Sequence, residues 1–193
     1  MILFKGRSSL KQYNPKKSIK RGYKLWSMAD IDGYLFKFEI YKGKNNKCTD
    51  HTIPKYFGLG ENVVYQMTKS LQGKYYEVYI ENYFTSVPLL EYLFSHHVMC
   101  CGTLRIYRKY LPKNLCKDKN LKRGDFDYRV SKDNIVVYKW MDNRPVHVIS
   151  NFHGTEKTEI KRNNKDGSIV MISCSQAVKG YNTYIGGKGC QQN

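Results

Sequence analysis

Residues 75–94 read Tyr75-Tyr76-Glu77-Val78-Tyr79-Ile80-Glu81-Asn82-Tyr83-Phe84-Thr85-Ser86-Val87-Pro88-Leu89-Leu90-Glu91-Tyr92-Leu93-Phe94. The first six alternate and are rich in β-branched and aromatic side chains, which predicts a strand. The last eight carry apolar residues at helical spacing, with Thr85 or Ser86 as N-cap and Pro88 in the first turn, which predicts a helix. Between them stands Glu81, a lone carboxylate at the carboxyl end of the strand. In open α/β sheets that edge holds ligands and metal ions. Glu81 therefore reads either as a ligand at a functional edge or as an acid that solvates a strand end.

Working outward, residues 1–4 predict the tail of a strand that begins abruptly. They are expected as a shortened central strand of the core sheet, so the chain reads as truncated. Residues 5–20 form a basic loop broken at Gly6, Asn14 and Pro15. Residues 23–29 predict a strand, Asp30-Ile31-Asp32-Gly33 a turn, and residues 34–41 its hairpin partner. Residues 42–52 are a polar loop. Val63, Val64, Met67 and Leu71 share one face of a helix expected over 61–71.

After the central stretch, His96 and His97 read as a helix-end cap rather than a metal pair. Residues 98–104 predict a short buried strand. Residues 105–123 are basic with little periodicity. Residues 126–130 and 135–140 predict hairpin strands, and 146–150 continues that small β region. Residues 151–167 read as polar linker, 169–173 as a brief strand and 181–193 as an ill-defined tail. The order implies an α/β fold, an antiparallel hairpin plus a β-α-β run flanked by helices, with a small β insertion. One structural domain is expected in three segments: a core over 1–104, the basic linker and β insertion over 105–168, and the last segment over 169–193.

Charge is the strongest global signal. In 193 residues, 33 Lys and Arg oppose 16 Asp and Glu, a net charge of +17. Such a field favours polyanions, nucleic acid before anionic membrane. The cations cluster, with eight and no acid over residues 1–24, and eight against Asp118 alone over 105–123. A hydrophobic fraction of 41% supports a packed core rather than disorder. The six cysteines, Cys48, Cys100, Cys101, Cys116, Cys174 and Cys190, include no CxxC pair, which argues against structural zinc. No apolar run approaches membrane-spanning length, and residues 1–4 are too short for a signal peptide. Reduced thiols inside the cell are expected.

Several motifs, in one order along nearly the whole chain, resemble piggyBac-type transposases. Residues 4–17 are similar to the segment that follows the first catalytic Asp of that family. Gly22-Tyr23-Lys24-Leu25-Trp26 and residues 30–34 resemble its next hairpin. Glu81-Asn82-Tyr83-Phe84-Thr85-Ser86 resembles the motif that carries the second catalytic Asp. Gly102-Thr103-Leu104-Arg105 and Leu111-Pro112 match the Gly-Thr-x-Arg and Leu-Pro elements. Residues 137–140 and 146–150 resemble the insertion before the last catalytic helix. Tyr181-Asn182-Thr183-Tyr184-Ile185-Gly186-Gly187 resembles the lead into the third catalytic motif.

The resemblance implies a ribonuclease-H-like core in which three aspartates hold two metal ions against a DNA phosphodiester. It also implies a DNA-binding, dimerising region before the core and a Cys-rich zinc domain after it, neither expected within this chain. The catalytic positions depart from the pattern. The first acid would precede Met1, the second is Glu81, and the third falls on Gly189, with Gln192 at the motif's other Asp and Lys188 beside them. Asp30 and Asp32 are expected to make local turn bonds instead. One acid cannot gather two divalent ions, so no cofactor is expected, and Mg²⁺ only if activity remains, held weakly by Glu81.

The expected role is an inactive, transposase-derived, nuclear DNA binder. Lys5, Arg7, Lys11, Lys16, Lys17, Lys24, Arg105, Arg108 and Lys109 are expected to face the phosphate backbone, and Tyr13 and Tyr107 are candidates to stack on bases. No membrane partner is expected, and a homodimer or a host protein partner stays open. The alternatives are an active metal-dependent transposase or nuclease, a protein-interaction module, and a decayed fragment.

Overall fold

A computed structural model describes residues 1–43, 52–164 and 166–186. In chain order the strands begin with β1 (Ile2–Leu3), β2 (Gln12–Tyr13), β3 (Arg21–Tyr23), β4 (Leu25–Ala29) and β5 (Leu35–Ile40), and helix α1 (Leu59–Thr68) follows. The central stretch supplies β6 (Glu77–Ile80) and α2 (Val87–Ser95). Then come β7 (Met99–Leu104), β8 (Phe126–Val130), β9 (Val136–Met141), β10 (Pro145–Ser150), β11 (Lys157–Asn163), β12 (Ile169–Ser175) and α3 (Gln176–Tyr184).

The principal sheet has the order β6-β7-β10-β9-β8. Strands β6 and β7 run parallel, with Ile80 opposite Gly102, and the remaining pairs are antiparallel. Helix α2 makes the crossover between the parallel pair, as the sequence predicts. Ser86 is its N-cap, with the hydroxyl accepting from the Leu89 amide at 3.3 Å, and proline lies in its first turn. His96 caps its other end and stacks on Tyr92.

The sheet is covered on both faces. On one, Leu89, Leu90 and Leu93 of α2 are fully buried against Ile80, Cys100, Val137 and Ile149. Each such leucine contributes about 1.5–3 kcal/mol of burial. On the other, Val136, Tyr138, Trp140 and Val148 pack under β12 and α3 through Ile172, Cys174, Ala177 and Val178. The period-2 alternation of β6 sends Val78 and Ile80 to the first face and Tyr79 to the second. Asn151 locks the first layer. Its side-chain amide donates to the Leu90 and Val98 carbonyls, and its oxygen accepts from the Cys100 amide at 2.7 Å.

Several expectations need correction. Residues 1–4 are not a central strand, because Ile2 and Leu3 pair antiparallel with Tyr23 and Gly22 in a small separate sheet, largely exposed. The strand expected over 23–29 breaks at Lys24, where β3 leaves for that small sheet and β4 pairs with β5. Strands β8, β9 and β10 do not stand apart as an insertion. They complete the principal sheet through β10 on β7, and β9 and β10 bury residues on both of its faces. The linker expected over 151–167 contains β11, which pairs along its whole length with β12. The expected tail begins inside α3, capped by Ser175, whose hydroxyl accepts from Val178. Most of the 42–52 loop, with Cys48, lies outside the described residues. Among the described residues, no helix is long and apolar enough to cross a membrane.

Candidate functional site

The Glu81 corner is built where β6 ends and α2 begins, at the carboxyl edge of the parallel pair. A β-turn carries the chain between them, with the Phe84 amide donating to the Glu81 carbonyl at 3.0 Å and the Thr85 hydroxyl to the same oxygen at 2.9 Å. Two glycines let other backbone approach it. A Cβ on Gly102 would meet the Thr85 hydroxyl at 2.7 Å and the Ile80 carbonyl at 2.8 Å. One on Gly60 would meet the Tyr83 carbonyl at 2.8 Å. The rings of Tyr83 and Phe84 pack on Trp26, at centroid distances of 5.6 and 5.4 Å, so the β4–β5 hairpin braces the corner.

Two arginines fold back onto the turn. Arg105 donates through Nε to the Asn82 side-chain oxygen at 3.1 Å and through Nη1 to the Tyr107 hydroxyl at 3.0 Å. Arg108 donates to the Tyr83 carbonyl at 2.6 Å and the Asn82 carbonyl at 3.4 Å. The Glu81 side chain itself is exposed. Across the sheet edge Tyr181 donates to or accepts from Thr103 at 3.2 Å, and burial, with Glu81 as a further cause, pushes its hydroxyl pKa up.

This donor set does not fit a pair of hard divalent cations. Oxygen ligands must converge at about 2 Å from a Mg²⁺ ion, and the corner offers Glu81 as its one exposed carboxylate, with Glu61 engaged by the Ser86 hydroxyl at 2.6 Å and the Asn82 oxygen already bound to a guanidinium. Among the described residues no three His, Cys, Asp or Glu side chains gather closely enough to share an ion. Asp30 accepts from the amides of Asp32 and Tyr34 at 3.0 and 2.8 Å, the local bonds expected of a turn. Lys188, Gly189, Cys190 and Gln192, the remainder of the third motif, lie outside the described residues.

The nine cations singled out from the sequence occupy different settings. Lys5, Arg7, Lys16, Lys17 and Lys109 are exposed. Lys11 donates to the Gly6 carbonyl at 2.9 Å. Lys24 sits among three rings, with Nζ 3.9 Å from the Trp26 centroid, 4.8 Å from Tyr83 and 5.4 Å from Tyr41, and burial lowers its pKa. That geometry stabilises an ammonium within the fold. Arg105 and Arg108 gather at the Glu81 corner, whereas Lys5, Arg7, Lys11, Lys16 and Lys17 belong to the small N-terminal sheet and its loops. Tyr13 is exposed, with Arg21 stacked 5.3 Å from its ring.

Sequence reasoning missed a second polar cluster. Lys139 is buried, donates to the Cys116 carbonyl at 2.6 Å and pairs with Asp118, whose carboxyl pKa that bond lowers. Lys139 lies opposite His147 across β9 and β10. The one available signal was a lysine inside an otherwise apolar alternating run.

The family model for Transposase IS4 matches residues 1–192. Human PiggyBac transposable element-derived protein 3 is 32% identical over 97% of this chain and 32% of its own length. Human PiggyBac transposable element-derived protein 2 is 30% identical over 98% of this chain and 33% of its own. The chain thus spans about a third of the length of these relatives. The fold matches a piggyBac transposase solved by cryo-EM as a synaptic complex with hairpin DNA, with a TM-score of 0.73 and 23% identity, over 95% of this chain and 36% of that one. The mixed sheet with its flanking helices is accordingly ribonuclease-H-like. The chain belongs to the Transposase IS4 family, among its piggyBac-type members.

Proposed function

We propose that this chain is a transposase-derived DNA-binding domain that acts in the nucleus and does not cut phosphodiesters. The observation that carries the reading is the Glu81 corner. A single exposed carboxylate stands beside a turn bound by two guanidiniums, in a chain of net charge +17. Two-ion cleavage needs several carboxylates converging on cations about 4 Å apart, and among the described residues no three His, Cys, Asp or Glu side chains gather into such a group. Without those ions, what the chain offers DNA is its surplus of positive charge. Exposed cations at Lys5, Arg7, Lys16, Lys17 and Lys109 attract any duplex, and their contribution falls steeply with salt as counterions are released.

The test pairs two measurements on the same protein. Incubation with supercoiled plasmid and Mg²⁺ or Mn²⁺ is expected to leave the plasmid intact, while duplex binding is expected at low salt, with affinity falling linearly in log–log against salt concentration. Metal-dependent nicking that disappears in Glu81→Ala would overturn the inactive reading. Duplex affinity that is indifferent to salt would overturn the phosphate-binding one.

A further inference from the structure

We propose that the loop of residues 105–110 is a stacking platform for the unpaired bases of single-stranded DNA. The proposal rests on the DNA-binding reading above and names the form of DNA that this edge of the molecule takes. The loop reads Arg105-Ile106-Tyr107-Arg108-Lys109-Tyr110, so cations and large apolar side chains interleave. Ile106, Tyr107 and Tyr110 are 68%, 73% and 75% exposed, the most solvent-facing group of large hydrophobics in the described chain. Tyrosines normally bury their rings and keep only the hydroxyl wet. Here two rings three positions apart are presented whole.

The loop is held, not loose. It leaves β7 at Leu104, and its first turn closes with the Arg108 amide on the Arg105 carbonyl at 3.0 Å. Both arginines anchor it to the Asn82–Tyr83 turn, and Arg105 also fixes the Tyr107 hydroxyl at 3.0 Å. Past Tyr110, Leu111 packs against the core under α2. Tyr110 itself has φ +67°, a left-handed conformation uncommon for a residue with a Cβ, and it turns the ring outward immediately before that anchor. Rings already placed lose little freedom when a ligand covers them.

Charge then selects the ligand. Lys109 and Lys113 are exposed beside the rings, which suits a phosphate backbone threading past them. Cations alone would take duplex and single strand alike. Exposed rings discriminate, because a paired and stacked base hides both faces and an unpaired one offers them.

The experiment compares a labelled oligo-dT strand with a duplex of equal length at low salt, by anisotropy, together with emission of 2-aminopurine placed in the single strand. Wild-type protein is expected to bind the single strand and quench the 2-aminopurine. Tyr107→Ala/Tyr110→Ala is expected to weaken single-strand binding by about tenfold or more and to abolish quenching. Its duplex binding should change by less than about twofold, and Tyr110→Phe, which keeps the ring and the Arg105–Tyr107 bond, should retain wild-type behaviour. Lys109→Ala should weaken both ligands equally. Because both rings are exposed, an unchanged melting curve for the alanine pair checks that the fold is intact. Equal losses on both ligands, or no loss on the single strand, would overturn the platform while leaving duplex binding in place. Failure of the wild-type protein to bind either DNA would overturn the platform and the DNA reading together.

Discussion

The principal sheet and the N-terminal strands are written in the same alternating apolar code, yet their burial differs sharply. Strands β7, β9 and β10 bury most of their residues, because α2 covers one face and α3 with β11–β12 covers the other. In residues 1–43 only Gly22 and Trp26 are buried. The β4–β5 hairpin presses one face onto α1, through Trp26 against Val63 and Met67. Its other face leaves Phe36 and Phe38 about 60% exposed. Alternation therefore fixes which residues share a face and says nothing about whether a second layer arrives to cover it. The two regions should differ most in what a side-chain truncation costs.

The largest expected effect lies under α2. Leu90→Ala opens a cavity among Ile80, Cys100 and Ile149, and it should cost about 3 kcal/mol in urea unfolding, with an unchanged m-value. The chain has two tryptophans, and they separate the regions: Trp140 reports on the principal sheet and Trp26 on the hairpin. Emission from Trp140 should register the loss in full. A loss below about 1 kcal/mol would mean that the α2 layer is looser than its burial indicates.

Second in size is Asn151→Ala, expected to cost about 2 kcal/mol. It strands the Cys100 amide and the carbonyls of Leu90 and Val98 without partners in a dry interior. Asn151→Asp should be worse still, because a carboxylate cannot donate to those carbonyls and a buried charge has no counter-ion there. Should Asp be tolerated as well as Asn, water reaches the α2–β7 joint.

The same comparison shows how much could be read from residues alone. The β6–α2 unit was legible because its signals are local: alternation over four residues, a Ser cap and a proline in the first turn. The hairpin over β4 and β5 was legible for the same reason, down to Asp30 closing its turn. Helix α3 was not, since Gly180, Asn182 and Thr183 are poor helix formers. Burial of Ala177 and Val178 holds it, and only Ser175 and that spacing hinted at it. The docking of β10 on β7 is a pairing across more than forty residues, and no local pattern encodes it. At the site, Glu81 was placed correctly at a strand end. That Arg105 and Arg108 turn back onto backbone was not readable, because a guanidinium facing solvent and one facing a carbonyl look alike in sequence. Lys24 hid its setting in the same way, although Trp26 two positions on shares its face.

A smaller effect than either truncation should appear on mild acidification, and in one region only. His147 and His153 have lowered pKa values, chiefly through burial, with Lys139 adding to the shift at His147. Asp118 opposes the shift at His147, and Glu77 and Glu156 oppose it at His153. A histidine that resists protonation in the fold but not in the unfolded chain removes stability as pH falls below about 6.5. Stability should therefore be full above that value and decline toward pH 5, before the carboxylates contribute. Asp118 and Asp127, both with lowered pKa values, add a further loss only below about pH 4. No histidine precedes residue 51, so Trp26 emission should stay flat while Trp140 emission moves. His147→Gln should shrink the Trp140 response, and an undiminished response would assign it elsewhere.

The smallest effect is the sharpest check on the contrast. Phe36→Ser/Phe38→Ser removes two large rings that already stand mostly in water, so little hydrophobic burial is lost, and the stability change should stay within about 0.5 kcal/mol. The substitution also removes apolar area from a free sheet face with open edges, the kind of surface on which strands associate. Solubility at high protein concentration should therefore rise while the unfolding midpoint stays put. A loss comparable to that of Leu90→Ala would show that these rings are covered in solution, and the outer hairpin face would then be as much a core as the face under α2.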